Sequence, residues 1–217
     1  MIFLGFLWAI FAPLSLVAGA ALLAFVIRSI APDLFGFWSA FALAATLVLA
    51  PVYWVWRQDM TVFKAVCSDE GAPRIFEKAV TDGMLLTSGT SNSFGMRYLH
   101  DEGFQWMESD DIYNRGGFVR YARDDKGAIS TTKIDAPTAR YEVREIFEQR
   151  PPELNISRTL VIDRQTGKEM ARAASVTFNG GRMKWLLGAW GTTDCPSAAS
   201  DSAGFRAWYH LAKNTLR

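Results

Sequence analysis

Residues 34–56 have the sequence LFGFWSAFALAATLVLAPVYWVW, a run of 23 residues without a charged side chain. Residues 2–27, IFLGFLWAIFAPLSLVAGAALLAFVI, form a second uncharged run of 26 residues. An α-helix rises about 1.5 Å per residue, so roughly 20 residues cross the ~30 Å hydrocarbon core of a membrane. Residues 28–33, which separate the runs, leave room only for a tight turn. The sequence therefore predicts an N-terminal transmembrane helical hairpin with both ends on one side of the membrane.

Two other interpretations of the uncharged runs fit the sequence less well. A cleaved signal peptide has a basic start and an apolar stretch of roughly 7–15 residues, whereas the first run has no basic start and is much longer. Buried helices of a soluble protein rarely come as two consecutive uncharged runs of this length. Tyr53, Trp54 and Trp56 crowd the end of the second run, as aromatic side chains do at membrane–water interfaces. We therefore expect both runs to lie in lipid.

Small side chains recur in both runs at a spacing of four residues. They are Ala20 and Ala24 in the first run and Ala40 and Ala44 in the second. Such small faces let membrane helices approach closely. The favoured interpretation is that the two helices of the hairpin pack against each other through these alanines. The alternative is a docking face for another membrane protein.

Nearly all of the charge lies outside the two runs. Among the charged side chains, only Arg28 and Asp33 precede Arg57, so the rest of the chain carries 22 basic and 21 acidic side chains. The predicted domains are a transmembrane hairpin, residues 1–56, and a water-soluble domain, residues 57–217. The near-neutral balance of the second domain argues against nucleic acid as a partner, because nucleic-acid binding needs a clustered basic surface.

The soluble part is predicted to be an α+β domain with a small antiparallel sheet and a C-terminal helix. Phe205, Trp208, Ala212 and Leu216 follow helical spacing, which predicts an amphipathic helix over residues 203–216. Short turns that contain glycine separate the last predicted strands, as in an antiparallel meander. The strands are predicted at residues 118–123, 141–147, 156–163, 169–178 and 183–190.

The basic residues and the cysteines predict different sides of the membrane for this domain. Arg57, Lys64 and Arg74 follow the second run, whereas the turn has a single arginine, and this bias places the domain in the cytoplasm. The only two cysteines, Cys67 and Cys195, bracket almost the whole domain. A disulfide between them would persist only in an oxidising compartment. The alternative is that they are two unrelated buried thiols.

A succession of short motifs begins at the first cysteine. Residues 67–80, CSDEGAPRIFEKAV, precede Asp82-Gly83, and later come residues 162–171, IDRQTGKEMA, then Gly180-Gly181 and Cys195-Pro196. This succession resembles uncharacterised bacterial cell-envelope proteins, often small lipoproteins or single-span proteins, whose exported domain opens with a cysteine. The resemblance implies an exported domain and carries no known activity. It favours a bacterial inner-membrane protein with a periplasmic domain, and a cytoplasmic domain is the alternative.

Aromatic and acidic side chains lie close together in the stretch FQWMESDD. Tryptophan and tyrosine dominate binding hot spots, so this stretch predicts a candidate interaction surface. The alternative is that the aromatic rings fill the core and the acidic side chains lie in a solvated turn. The residues of the predicted surface are Phe104, Trp106, Glu108, Asp110 and Asp111.

The sequence contains no recognisable catalytic, cofactor-binding or metal-binding motif. A zinc site needs three or four ligands at suitable spacing, and the chain has only two histidines, His100 and His210. A P-loop, a dinucleotide fingerprint and a Gly-x-Ser-x-Gly motif are absent from the sequence. The sequence therefore predicts no catalytic residue, no cofactor and no metal.

The predicted function is that of a non-enzymatic, membrane-anchored accessory or assembly protein in a larger membrane complex of the envelope. Its predicted partners are membrane lipid and another integral membrane or envelope protein. One alternative is a small membrane-bound enzyme that acts on envelope material with carboxylates such as Glu108 and Asp110. Another is a regulatory subunit whose domain faces the cytoplasm.

Overall fold

The structure is a computed structural model that describes residues 2–32, 36–87, 90, 95–110, 116–187, 191–195 and 210–217, with the backbone alone for residues 2–13. Within these residues, helices and a mixed β-sheet confirm the predicted α+β class. The chain divides into two compact units. Unit 1 consists of Met1–Val66, Gln149–Asn155 and Thr177–Asp194, and unit 2 consists of Cys67–Glu148, Ile156–Val176 and Cys195–Arg217.

Two long apolar helices begin the chain: α1, Ile2–Ile30, and α2, Phe37–Glu70. Over the described residues, α2 alone is long and apolar enough to cross a membrane, and the apolar segment found in α1, Leu14–Ile30, is shorter. Apolar side chains of α2 face outward, since Leu47 is 56% exposed and Trp54 is 63% exposed. The core helix of a soluble protein would bury such side chains. One helix that can cross a membrane is thus found, and the second crossing stays a prediction.

Alanines lie between α1 and α2. Ala24, Ala40 and Ala44 form one apolar cluster, against which larger side chains such as Ile27 pack. Ala20 is also buried. Because these side chains end at Cβ, the two helix backbones can lie close together and gain dispersion contacts along their length.

Short elements make up the rest of the described chain. The helices are α3, Arg97–His100; α4, Lys184–Leu187, which directly follows a 3-10 turn at Gly181–Met183; and α5, Leu211–Leu216. The strands are β1, Arg74–Ile75; β2, Gly83–Leu86; β3, Trp106–Asp110; β4, Phe118–Arg123; β5, Ile129–Ile134; β6, Tyr141–Arg150; β7, Leu154–Asp163; β8, Lys168–Asn179; and β9, Thr192–Cys195.

The described strands form one mixed sheet in the order β1-β8-β7-β6-β2-β3-β4-β5, with β9 paired to β8. Strand β2 pairs in parallel with both β3 and β6, so the prediction of an antiparallel sheet is wrong at this point. All four residues of β2 are buried. A strand with a parallel neighbour on each edge and cover on each face is expected to be continuously apolar. Because a parallel neighbour needs a crossover, the chain passes through α3 between β2 and β3.

The core of unit 2 lies where α3 and α5 pack against one face of the sheet. Full burial of a large apolar side chain contributes about 1.5–3 kcal/mol relative to exposure, so this cluster is a major stabilising feature of the unit. Its buried side chains are Met84, Leu86, Tyr98, Leu99, Phe104, Met107, Tyr141, Val143, Val161, Met170, Ala171, Ala173, Leu211, Ala212 and Leu216.

Several predicted elements are confirmed and one is wrong. Strand β4 has the predicted bounds, and β6, β7 and β8 overlap the next three predicted strands. The strand predicted at residues 183–190 is wrong, because α4 occupies its described part. The C-terminal helix is confirmed at α5, while residues 203–209 of the prediction lie outside the described residues.

Gly83 is predicted to tolerate no side chain. A Cβ added here would collide with the indole of Trp106, its partner in the β2–β3 pair. The ring is rigid, so Gly83→Ala must displace the strand or the indole, and overpacking of this kind costs about 1–3 kcal/mol. Thermal unfolding followed by tryptophan fluorescence should show a lower midpoint for this variant. Gly36→Ala is the control, since its added Cβ has its nearest neighbour at 3.8 Å; equal midpoints for the two variants would contradict the prediction.

Candidate functional site

The predicted interaction residues fall into buried and half-buried groups. Phe104 lies in the core and Glu108 is fully buried. Trp106 and Asp110 are half-buried, and Asp111 lies outside the described residues. Phe104 and Glu108 therefore offer no surface to a partner, and Glu108 is instead the centre of a buried polar cluster.

Strand β3 carries an apolar face and a charged face. Trp106 and Glu108 share the charged face because successive side chains of a strand alternate, while Met107 between them belongs to the core. Glu108 lies opposite Arg120 in the β3–β4 pair, so opposite charges face each other across the two strands. The guanidinium carbon of Arg120 also lies 4.6 Å from the centre of the Trp106 ring, a cation–π distance.

The carboxylate of Glu108 accepts five hydrogen bonds. Arg120 donates to Oε1 from Nη2 at 2.5 Å and from Nε at 3.2 Å, and the hydroxyl of Thr138 donates to the same oxygen at 2.8 Å. The backbone N–H groups of Thr138 and Ala139 donate to Oε2 at 2.8 and 2.9 Å. Since Thr138 and Ala139 lie in the connection between β5 and β6, this carboxylate ties the connection to the sheet. We name Glu108, Arg120, Thr138 and Ala139 the β3 carboxylate cluster.

The β3 carboxylate cluster holds Glu108 in its charged form. Burial raises the pKa of Glu108, but the hydrogen bonds from Ala139, Arg120 and Thr138 together lower it by more, so this pKa lies below the ordinary value of a glutamate. A general acid or base works best with a pKa near the operating pH and must reach the proton of its substrate. The cluster is therefore better suited to holding a loop than to transferring a proton, which counts against Glu108 in the enzymatic alternative.

Protonation of Glu108 is predicted to lower the stability of the fold in acid. The pKa of Glu108 in the folded state is lower than its unfolded value of about 4.3. The charged carboxylate therefore stabilises the fold above the unfolded value, and this contribution is lost as the pH falls towards the folded-state pKa. Thermal unfolding midpoints between about pH 7 and pH 3 measure the effect. The unfolding midpoint of the Glu108→Gln variant should fall less steeply than that of the parent chain below about pH 4.3. Parallel curves for the two proteins would contradict this assignment.

A second buried carboxylate lies beside the C-terminal helix. Nδ1 of His210 contacts Oε1 of Glu102, and Nζ of Lys213 lies 3.9 Å from Oε2. The guanidinium of Arg217 donates to the backbone carbonyl of Glu102 at 3.4 Å and lies over the ring of Phe104. These contacts hold α5 against the segment that precedes β3. Sequence reasoning missed them because Glu102 and its partners are far apart in the chain.

Within unit 1, the later part of α2 has a fixed polar contact. Asp59 is 2% exposed, and its carboxylate accepts the backbone N–H of Arg182 at 2.7 Å and Nε of the same residue at 2.9 Å. Gly181 makes this approach feasible, since its φ is +59° and an added Cβ would collide with Asp59. Phe63 adds a ring contact with Phe178 on β8, with 5.7 Å between ring centres.

Within unit 2, the last turn of α2 is also held. Cys67 and Cys195 form a disulfide with their Cα atoms 5.9 Å apart, which selects the disulfide over two separate thiols. Glu70 pairs with Arg158 on β7, and Arg158 also pairs with Glu148 on β6. The hydrogen bond to Glu70 raises the pKa of Arg158, which therefore stays charged. The C-terminal end of α2 thus has one covalent and one ionic attachment.

Among the side chains that the structure describes, no group of three or more His, Cys, Asp or Glu residues is placed to hold a metal ion. Comparison of the chain with protein-family models, with curated proteins and with solved structures finds no match.

Proposed function

We propose that this chain is a non-enzymatic accessory protein of a bacterial inner membrane, whose periplasmic domain engages another integral membrane or envelope protein. Helix α2 carries the proposal. One continuous helix contains an exposed apolar segment long enough to cross a membrane and then a polar segment that contacts later parts of the chain. Helix α1, which packs on α2 through alanines, is the proposed second crossing.

The contacts of α2 are more extensive than a tether requires. A tethered domain needs a membrane helix and a flexible linker. Here the buried carboxylate of Asp59 has an ion pair, Cys67 a disulfide and Glu70 a second ion pair. Such contacts give α2 a structural role beyond that of a tether, which fits a subunit of a larger assembly.

The disulfide supports the periplasmic side. Disulfides persist in oxidising compartments such as the bacterial periplasm and are rare in the cytosol. Cys67 follows the apolar part of α2, so its compartment is also that of the domain. This favours export over the cytoplasmic location that the basic residues indicate.

Strand β6 supplies an exposed aromatic side chain for contact with a partner. Phe147 is 70% exposed. Ile146 beside it is 37% exposed. Aromatic side chains are enriched in protein interfaces, so Phe147 is the position of choice for a crosslinking probe.

Photo-crosslinking in intact membranes tests the proposed partner. A photoreactive phenylalanine analogue at Phe147 should crosslink the chain to one discrete protein, which mass spectrometry identifies. The same analogue at Lys126, an exposed turn residue, is the matched control and should give no such product. A monodisperse monomer in mild detergent, together with no crosslink at Phe147, would count against an accessory role.

The proposed compartment has a separate test. Alkaline phosphatase fused after Arg217 should be active, because it folds only after export, and a fluorescent protein that folds only in the cytoplasm should stay dark. Non-reducing electrophoresis with thiol labelling should show Cys67 and Cys195 blocked until a reductant is added. The reverse fusion pattern would place the domain in the cytoplasm.

A further inference from the structure

We propose that helix α4 lies at the membrane surface, where the indole of Trp185 enters the headgroup layer. The proposal rests on the proposed membrane anchoring of α2, to which it adds a second, peripheral contact with lipid. Helix α4 belongs to unit 1, together with α1 and the first part of α2. The partner of the exposed indole is thus the lipid surface itself.

The hydrogen bonds of Asp59 place the chain just before α4 near the end of the apolar part of α2. Residues 37–56 span about 30 Å at about 1.5 Å per residue, which matches the hydrocarbon core. Asp59 lies less than one helical turn beyond Trp56, and its carboxylate accepts the backbone N–H of Arg182 at 2.7 Å and Nε of Arg182 at 2.9 Å. Because only two residues separate Arg182 from Trp185, the indole lies close to the level at which α2 leaves the hydrocarbon.

Helix α4 also lies against α1, the first of the two long apolar helices. Residues 2–27 of α1 carry no charged side chain, so this helix is more stable beside lipid or apolar protein than in water. A segment that packs on such a helix lies close to lipid. The bonds of Asp59 and the contact with α1 are two separate observations, and both place α4 beside the apolar helices.

The loop that carries α4 is closed at its base, which fixes the direction of its side chains. Gly180 and Gly191 lie close together, since a Cβ added at Gly191 would be 2.9 Å from the Cα of Gly180. Within α4, Leu186 is buried, whereas Trp185 before it is 61% exposed. The helix therefore holds its largest apolar side chain outward while its neighbour packs inward.

An indole is well suited to the headgroup layer. Its ring is apolar and its single N–H donates a hydrogen bond, so it gains from a boundary between hydrocarbon and water. Helix α2 already exposes Tyr53 and Trp54 near its exit from the hydrocarbon. Trp185 adds an aromatic side chain close to this level from a distant part of the chain. Interfacial tryptophans help to set the tilt of a membrane helix, so this contact orients unit 1 relative to the bilayer.

Electron paramagnetic resonance of the purified full-length chain in proteoliposomes tests the depth of this side chain. A nitroxide on Trp185→Cys collides with oxygen, which concentrates in lipid, and with a water-soluble nickel complex. Because Cys67 and Cys195 form a disulfide, the label reacts with the introduced thiol, and the unsubstituted chain should stay unlabelled. Leu47→Cys on the exposed apolar part of α2 is the lipid reference, and Lys126→Cys in an exposed turn is the water reference.

The oxygen-to-nickel collision ratio at position 185 should lie between the two references. A ratio equal to the water reference, with Leu47 in lipid, would overturn the interfacial contact alone. A ratio equal to the lipid reference would place the side chain in the hydrocarbon core and overturn the headgroup assignment. A label shielded from both reagents would be covered by protein, which also overturns it. Water-like ratios at both 47 and 185 would overturn the proposed function.

Trp185→Phe gives a second readout that needs no label, since it keeps an aromatic ring and removes one indole. In vesicles of phosphatidylcholine brominated in the upper part of the acyl chains, the variant should lose tryptophan fluorescence that the parent chain shows as quenchable. Trp106→Phe in strand β3 is the matched control and should lose unquenched fluorescence instead. Loss of unquenched fluorescence alone in Trp185→Phe would contradict the lipid contact.

Discussion

Removal of the Cys67–Cys195 disulfide is expected to lower the free energy of unfolding by about 5 kcal/mol, the largest effect predicted for this protein. The two cysteines are 128 residues apart in sequence. In the chain-entropy model, a crosslink that closes so long a loop removes many conformations from the unfolded chain, which raises the free energy of the unfolded state relative to the fold. The disulfide also joins the last turn of α2 to strand β9.

The measurement is denaturant unfolding of the full-length chain in detergent, followed by tryptophan fluorescence. The double variant Cys67→Ser/Cys195→Ser avoids a leftover reactive thiol and is compared with the oxidised parent. Reduction of the parent should reproduce the shift of the double variant, and the reductant should have no effect on that variant. Identical midpoints for the oxidised and reduced parent would refute a stabilising crosslink.

Glu108→Gln is expected to cost about 3 kcal/mol, the second largest effect. The substitution keeps the shape of the side chain and removes its charge, so Arg120 loses its anionic partner and the amide N–H₂ group must face either the backbone N–H groups of Thr138 and Ala139, which share Oε2, or the donors from Arg120 and the Thr138 hydroxyl at Oε1. Breaking a buried ion pair from one side costs about 3–5 kcal/mol. We expect the lower end of this range because the Arg120 side chain is 34% exposed, so water partly replaces its lost anionic partner.

Glu77→Gln is the matched control for Glu108→Gln. Glu77 pairs with Lys168 at 2.6 Å, but the two side chains are 50% and 62% exposed. A surface pair of this kind contributes about 0–1 kcal/mol. Unfolding free energies of both variants, measured under the same conditions, should therefore differ by about 2 kcal/mol or more. Equal effects would mean that the β3 carboxylate cluster does not stabilise the fold through its charge.

Helix α2 shows which features of the fold a local sequence pattern predicts and which it does not. Residues 34–56 predict an apolar helix because most of their side chains favour lipid over water. The helix nevertheless continues to Glu70 through polar residues. Asp59, Phe63 and Cys67 find their partners in the last third of the chain, and no local spacing indicates those partners.

Strands β2 and β3 were not predicted, and their sequences explain why. Gly83–Leu86 is too short to show a period, and a short apolar run does not distinguish a buried strand from a buried helix. Strand β3 places Trp106, Glu108 and Asp110 at alternate positions, a pattern that equally fits a surface. Only the register with β4 shows that the acidic Glu108 faces Arg120 and is covered by the β5–β6 connection.

Whether the sequence predicted a candidate site depended on how far apart the residues of that site lie in the chain. The cysteine pair was predictable as one of two alternatives, because the chain has only two cysteines.

By itself, the sequence determined the apolar N-terminal quarter, the α+β composition, several strands of the sheet and the amphipathic C-terminal helix, since each follows from the transfer free energies and spacing of neighbouring side chains. The tertiary structure alone decided that β2 pairs in parallel, that Phe104 and Glu108 are buried, and that Asp59 meets Arg182. Those outcomes depend on which distant segments come together when the chain closes on itself. A side chain is buried or exposed according to what covers it, and the cover comes from elsewhere in the chain.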